Sequence, residues 1–247
     1  MRLNVYLQQA GIGSRREAER YVAEGRVTVN GKVALPTTPV EDRDEVAVDG
    51  RRVSKATRGT PRLFMLHKPR DVLVTTYDSE GRMIVYDLPA LQRKSLPRLM
   101  NVGRLDVNSE GLLLFSDDGP LAQAMMQPTT ALERVYRVRV HGRLSNEDID
   151  KLERGVTVEG IVYRGAKVTE EKAPSGSNTW YQIILTEGKN REIRRLMEYF
   201  GCVVNRLIRT DYGPFHLGNL PLGALVEIQP RRVEDLIDDL RKRGAKV

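Results

Sequence analysis

The chain has 247 residues, 40% hydrophobic and 30% charged, which leaves room for one or two domains with real cores. A formal net charge of +7 suits a polyanionic partner, since each neutralised phosphate releases counterions. A single cysteine, Cys202, excludes an internal disulfide, and His67, His141 and His216 form no cluster at metal-ligand spacing, so metal catalysis and a thiol–histidine pair both lose ground. No apolar run approaches the ~20 residues of a membrane span, and the opening MRLNVYLQQAG lacks a signal peptide's segments, so a cytoplasmic protein without membrane partners is expected.

Leu3, Tyr6, Leu7 and Ala10 recur at helical spacing ahead of Gly11, which predicts a short amphipathic helix. Ser14 stands three residues before Glu17, the spacing of a capping box. A second helix follows, with Ala18, Tyr21 and Val22 inward and Gly25 at its end. Val27 and Val29 then alternate with Thr28 and Asn30, and Asn30-Gly31 favours a tight hairpin turn; Val46 and Val48 ahead of Asp49-Gly50 repeat the pattern. Arg15 and Arg16 fall in the first turn of the second helix, where free N–H groups already favour an anion. Arg20 lies one turn beyond Arg16, and Arg26 and Lys32 flank the hairpin. These predict a phosphate-reading face; Glu17, Glu19 and Glu24 support the plainer reading of a solvated helix equally. Gly11-x-Gly13 follows a helix and lacks a third glycine, so it is not a dinucleotide fingerprint.

In residue order, SRREAERYVAEGRVTVNGK resembles the alpha-L RNA-binding module named after ribosomal protein S-four, over the first fifty-odd residues. The resemblance implies that the second helix and hairpin grip structured RNA through Arg15, Arg16, Arg20, Arg26 and Lys32, without chemistry. Ser54 to Pro61 is polar, holds Gly59 and Pro61, and has no apolar periodicity, so it reads as an interdomain linker. The expected division is a module over 1–57, a junction over 58–61 and a larger domain over 62–247.

Leu63 to Leu66 opens a second core with an apolar strand that ends at His67-Lys68-Pro69. His67 has no nucleophile near it in sequence and is expected to be structural or RNA-facing. The stretch GRLDVNSEGLLLFSDDG, from Gly103 to Gly119, sets Asp106 between Arg104 and a polar turn, ahead of the unbroken run Leu112, Leu113, Leu114, Phe115. Such a run predicts a strand buried on both faces, with Asp106 on a loop at its lip, where scaffold-held loops tend to carry catalytic groups. Read alone, the stretch fits a turn-capping Asp106 at least as well. Asp117 and Asp118 read as a turn and a helix cap, and Met125 and Met126 as core filler of that next helix.

ERVYRVRV, from Glu133 to Val140, alternates as a strand with Tyr136, Val138 and Val140 on one face and Arg137 and Arg139 on the other. Tyr136 read alone is a core residue; if its face borders a cleft, its ring offers a surface for a stacked base. In GKNREIRRLMEYFGCVVNRLIR, residues 188 to 209, Asn190 is the expected cap and Ile193, Leu196, Met197 and Phe200 the buried stripe of a helix closed by Gly201. Arg194 flanks that stripe. It is therefore the arginine expected to be partly buried, with a carboxylate or phosphate partner. Lys189, Arg191 and Arg195 are expected to point outward, with Arg206 and Arg209 on the next strand. Val233, Leu236, Ile237 and Leu240 predict a terminal amphipathic helix whose last residues, RKRGAK, should fray.

GRLD followed by GLLLFSDDG, then ERVYRV, then GKNREIRRLM with NRLIR, resemble in order and spacing the pseudouridine synthases that act on bacterial ribosomal RNA, in the branch with an N-terminal S-four-like module. One departure is Asp71, where that family usually has glycine two positions after its Lys-Pro. The resemblance implies an α+β fold in which a mixed, mainly antiparallel sheet carries flanking helices. It implies conversion of a uridine to pseudouridine without metal or cofactor, with Asp106 as nucleophile or sugar-directed base, Arg194 as its charge partner and Tyr136 stacked on the extruded base. Arg104, Lys189 and Arg191 are further RNA contacts on this reading. The wording DVNSEGLLLFSDDG is closer to the enzymes of large-subunit (23S) RNA, acting in its peptidyl-transferase region, than to the small-subunit (16S) enzyme. A monomer acting on ribosomal RNA or a pre-ribosomal particle is expected. Two other classes compete: a non-catalytic ribosomal RNA-binding protein, which leaves the larger domain without a purpose, and a carboxylate hydrolase pairing Asp106 with Asp117 or Asp118, which the turn and cap roles of those residues disfavour.

Overall fold

A computed structural model describes every residue except 11, 13, 14, 42, 55–58 and 172–175, and every side chain but those of residues 8, 9, 15 and 16 besides. The Ser14 capping hydroxyl, the reach of Arg15 and Arg16, and the middle of the expected linker thus lie outside the described residues. Two compact units result, Met1–Thr60 and Pro61–Val247.

The first unit runs α1 (Leu3–Gln9), α2 (Arg15–Ala23), β1 (Val27–Val29), β2 (Lys32–Val33), β3 (Val46–Val48) and β4 (Arg51–Val53). The strands form an antiparallel sheet in the order β2-β1-β3-β4. Both hairpins turn on residues in the left-handed region, Asn30-Gly31 (φ 51° and 76°) and Asp49-Gly50 (φ 50° and 74°), which is what a two-residue primed turn requires. Leu3 and Leu7 of α1, Ala18 and Val22 of α2, and the inward valines Val27 and Val46 close one small core.

The second unit is built on β5 (Leu63–Lys68), β6 (Met100–Val102), β7 (Glu110–Ser116), β8 (Arg134–His141), β11 (Lys167–Glu171), β12 (Asn178–Leu185), β13 (Val203–Tyr212), β14 (Phe215–His216) and β15 (Leu225–Glu227), with β9 (Val156–Val158) and β10 (Ile161–Tyr163) as a separate ribbon. The order is β11-β12-β8-β13-β7-β5-β15, with β6 on β7 and β14 on β13. Only β13 and β7 run parallel among these pairings, so the sheet is mixed and mainly antiparallel, an α+β fold.

Alternation along β5 and β7 sends successive side chains into two cores. Phe64, Leu66, Leu113 and Phe115 meet α4 (Asn146–Arg154) and α5 (Glu192–Tyr199); Leu63, Leu112 and Leu114 meet α3 (Gly119–Met126) and α6 (Pro230–Lys242). Every residue of β7 is buried, as an unbroken apolar run between two cores demands. Asp118 caps α3 by accepting the Leu121 N–H at 2.8 Å, and Asp117 accepts the Arg62 N–H at 2.9 Å, so both are scaffold.

Two local expectations are corrected. Helix α5 begins at Glu192, and its cap position is Arg191 in the left-handed region (φ 52°), not Asn190; the Glu192 carboxylate instead reaches back to the Lys189 N–H at 2.8 Å. The C-terminal residues do not fray: Arg243 donates to the Thr130 carbonyl at 2.8 Å, and Ala245 and Val247 pack onto the α3/α6 core.

Candidate active site

Asp106 lies in the loop between β6 and β7, and its carbonyl accepts the Ser109 N–H at 3.0 Å. The loop is anchored from below by a residue the motifs did not single out. Lys68 closes β5 on the same face as Phe64 and Leu66, is wholly buried, and donates from Nζ to the carbonyls of Pro69 (2.8 Å), Ser109 (2.8 Å) and Val107 (3.4 Å). Burial pushes its pKa down to about 8, opposed by the carboxylates of Asp71, Asp106 and Glu110. Asp71 occupies a left-handed conformation (φ 61°), the region that glycine enters most readily, and donates its N–H to the Val107 carbonyl at 2.8 Å.

Arg194 stands behind Asp106. Its Nε is 3.6 Å from Asp106 Oδ2, an ion pair longer than a hydrogen bond, and its side chain is 14% exposed. The guanidinium also donates to the carbonyls of Val204 (3.3 Å) and Asn108 (3.2 Å), which aims it at the loop. Burial lowers the Arg194 pKa, and Asp106 opposes that shift. Arg191 approaches the same Oδ2 at 3.9 Å from the more exposed side.

Tyr136, 8% exposed on β8, and Asp106 line one cleft of about 760 Å³, joined there by Arg104, Lys189, Arg191 and Arg209. Met126 also lines it, its Sδ accepting the Gly103 N–H, while Met125 is core as expected. Lys189 does not point outward: its ammonium is paired with Glu187. Glu192, 3% exposed, has its pKa raised to about 7, chiefly by burial and also by Glu187, against the Lys189 N–H. Burial works to raise Glu187 as well, but Lys189 and the Arg164 N–H outweigh it and hold it below the usual range.

In the first unit, Arg20 is exposed and 3.7 Å from Glu24, and Lys32 is exposed on β2. Arg26 is committed internally, to Asp49 at 2.8 and 2.6 Å and to Glu24 at 3.0 Å, with its guanidinium 4.2 Å from the Tyr21 ring centroid. His67 contacts the Leu220 carbonyl through Nδ1 at 2.7 Å, a structural role. Among the described residues no group of three or more His, Cys, Asp or Glu is placed to hold a metal ion, and no helix is long and apolar enough to cross a membrane.

Residues 62–199 match the family described as RNA pseudouridylate synthase. The chain belongs to that family. Residues 1–46 match the S4 domain. This pseudouridylate synthase family member is 39% identical over 242 residues to the ribosomal large subunit pseudouridine synthase B of Pseudomonas aeruginosa, covering 97% of this chain but 62% of that longer protein. It is 40% identical over 237 residues to an uncharacterized RNA pseudouridine synthase of Rickettsia felis, covering 94% of this chain and 99% of that one. A crystal structure of a pseudouridylate synthase shares the fold, with a TM-score of 0.63 at 21% identity over 96% of this chain and 99% of its own. The family match takes in Lys68, Asp106, Tyr136, Arg191 and Arg194; Arg209 lies beyond it.

Lys68, Glu192 and Arg209 are among the buried charged groups to which the sequence motifs assign no role. A period-two reading of LFMLHK carries a signal for the first, since Lys68 falls on the inward face with Phe64 and Leu66.

Proposed function

We propose that this chain converts a specific uridine of large-subunit (23S) ribosomal RNA, in its peptidyl-transferase region, to pseudouridine. The observation that carries the proposal is one cleft lined by both Asp106 and the flat ring of Tyr136, with Arg194 paired to the Asp106 carboxylate, in a chain of this family with an S4 domain at its start. The large-subunit assignment rests on the stretch DVNSEGLLLFSDDG and agrees with the name of the Pseudomonas relative.

The reaction breaks the bond from ribose C1′ to uracil N1, forms one from C1′ to C5, and exchanges the C5 proton for one on N1. No atom is gained or lost, so side chains alone suffice. A base in structured RNA is first extruded, and binding energy from an attached RNA-gripping module helps offset that cost. Asp106 acts as nucleophile or sugar-directed base, a role open to a carboxylate at a glycosidic centre. Arg194 orients the carboxylate and balances its charge, and Tyr136 stacks on the uracil. Arg104 and Arg191 at the cleft, and Arg15, Arg16, Arg20 and Lys32 on the module, meet phosphates. The protein acts as a monomer in the cytoplasm, on ribosomal RNA or a pre-ribosomal particle, since its second RNA grip is covalently attached.

Carbodiimide-dependent reverse-transcription stops, mapped in ribosomal RNA from cells with and without the gene, test the target. Loss of a single large-subunit stop is expected. Loss of a small-subunit stop instead moves the target to 16S RNA, and an unchanged map removes the proposal.

A further inference from the structure

Arg209 of β13 is the cross-strand partner of Tyr136 on β8, so the two side chains leave the sheet on one face, side by side at the floor of the cleft. Its backbone is pressed onto Gly111, where a Cβ would lie 2.3 Å from the Arg209 carbonyl oxygen, which fixes the strand carrying it against the strand that follows the Asp106 loop. The side chain is deeply buried. Nε donates to the Leu112 carbonyl at 2.7 Å, while Nη2 is buried with no acceptor among the described residues.

Charge does not explain this burial. A second guanidinium, that of Arg134, is buried alongside, bonded to the Leu132 carbonyl (3.4 Å) and the Tyr212 hydroxyl (3.0 Å); both guanidiniums lie over the Tyr212 ring, at 4.8 Å for Arg134 and 5.0 Å for Arg209. Stacking on Tyr212 offsets part of the desolvation, but a ring face does not satisfy an in-plane N–H. An N–H donor kept buried without an acceptor costs as much as a lost hydrogen bond, so an acceptor supplied by the ligand is the economical explanation. Depth then selects the ligand atom. Arg104 and Arg191 line the same cleft and are exposed, the setting that suits a charged phosphate backbone, whereas Tyr136 and Arg209 are buried, the setting that suits an uncharged base.

We propose that Arg209 donates through Nη2 to a carbonyl oxygen of the extruded uracil, holding the ring in register with Tyr136. This rests on reading the cleft as a uridine site. Uracil presents carbonyls at C2 and C4, whereas cytosine carries an amino donor at C4; a contact to O4 therefore also rejects cytidine, and a contact to O2 orients without discriminating.

The full chain, Arg209→Met and Arg209→Lys are compared on large- and small-subunit ribosomal RNA transcripts made with uridine, 2-thiouridine or 4-thiouridine. Isomerised nucleoside is measured by chromatography after complete digestion, and RNA affinity by filter binding across a salt series. Arg209→Met should turn over about tenfold to a hundredfold more slowly at saturating RNA, with affinity and salt slope unchanged. Arg209→Lys should fall between, because it keeps the charge and loses the fork. One of the two thiouridines, with a poorer acceptor, should slow the wild-type chain and add nothing to Arg209→Met; which one it is tells O2 from O4. Wild-type turnover by Arg209→Met overturns the proposal, and so does a loss of affinity with a shallower salt slope, the mark of a phosphate contact. If Arg209→Met fails to fold, the wild-type chain decides alone: undiminished rates on both thiouridine transcripts overturn the proposal. A wild-type chain that isomerises neither uridine transcript refutes the uridine site itself, a result distinct from failure of the Arg209 contact.

Discussion

Arg194 has given up most of its hydration to stand behind Asp106, and Lys68 has given up all of its own to hold the carbonyls of Val107 and Ser109 in that loop. Both positions are costly in isolation, since a buried cation needs partners for its hydrogens. Here the partners are backbone carbonyls and one carboxylate, so the cost converts into a fixed position for the Asp106 carboxylate. Glu192 shows the same arrangement in an acid. Its folded pKa of about 7 lies above the ordinary carboxylate value, so between about pH 4.5 and 7 the folded protein keeps a proton that the unfolded chain releases. Stability from this group is therefore full at the acid end of that window and is lost as pH rises through it. Glu192→Gln keeps an amide where the protonated acid stood. Its stability relative to the wild-type chain should climb by on the order of 2 kcal/mol between those pH values, as read from urea midpoints at constant ionic strength. A pH-independent difference would remove the buried-acid account of this loop.

At the scale of elements, the parallel pair β7–β13 joins the Asp106 stretch to the strand of Arg209, and it depends on Gly111. That residue has φ 111°, and an added Cβ would meet Arg209 backbone at 2.3 and 2.6 Å. Gly111→Ala should therefore destabilise the chain by roughly 3 kcal/mol or more, through strain and lost pairing together, seen as a lowered denaturation midpoint. A wild-type midpoint would mean the two strands separate freely. β7 was legible in sequence because burial on both faces leaves an unbroken apolar run, and the hairpins because Asn-Gly and Asp-Gly carry their own backbone preference. The Arg194 prediction followed from its place beside an apolar helical stripe. Lys68 and Arg209 are harder to read, because their partners lie elsewhere in the chain: the Ser109 carbonyl for Lys68, the Leu112 carbonyl for Arg209. Asn190 failed as a cap because the left-handed turn at Arg191 lets Glu192 reach back across it, a choice that side-chain preference does not encode. The C-terminal residues looked polar enough to fray, but the small apolar Ala245 and Val247 find a core to pack on.

On the scale of the whole molecule, a +7 chain carries two kinds of cation. Some, such as Arg26 and Lys189, are bound to neighbouring carboxylates. Others belong to the two RNA-facing surfaces proposed above. Replacing Arg15 and Arg16 together with alanine should weaken ribosomal RNA binding and reduce the slope of log affinity against log salt by about one to two, while turnover at saturating RNA survives. An unchanged slope would place the module's grip elsewhere. On the proposed reading, the Asp106 carboxylate carries the isomerisation while the rest of the chain brings a uridine to it. Asp106→Asn, nearly identical in shape, measures this most directly when RNA binding and pseudouridine formation are followed in one preparation. Ribosomal RNA should bind the variant with wild-type affinity and no pseudouridine should form; pseudouridine made at a wild-type rate by the asparagine variant would contradict that role of Asp106.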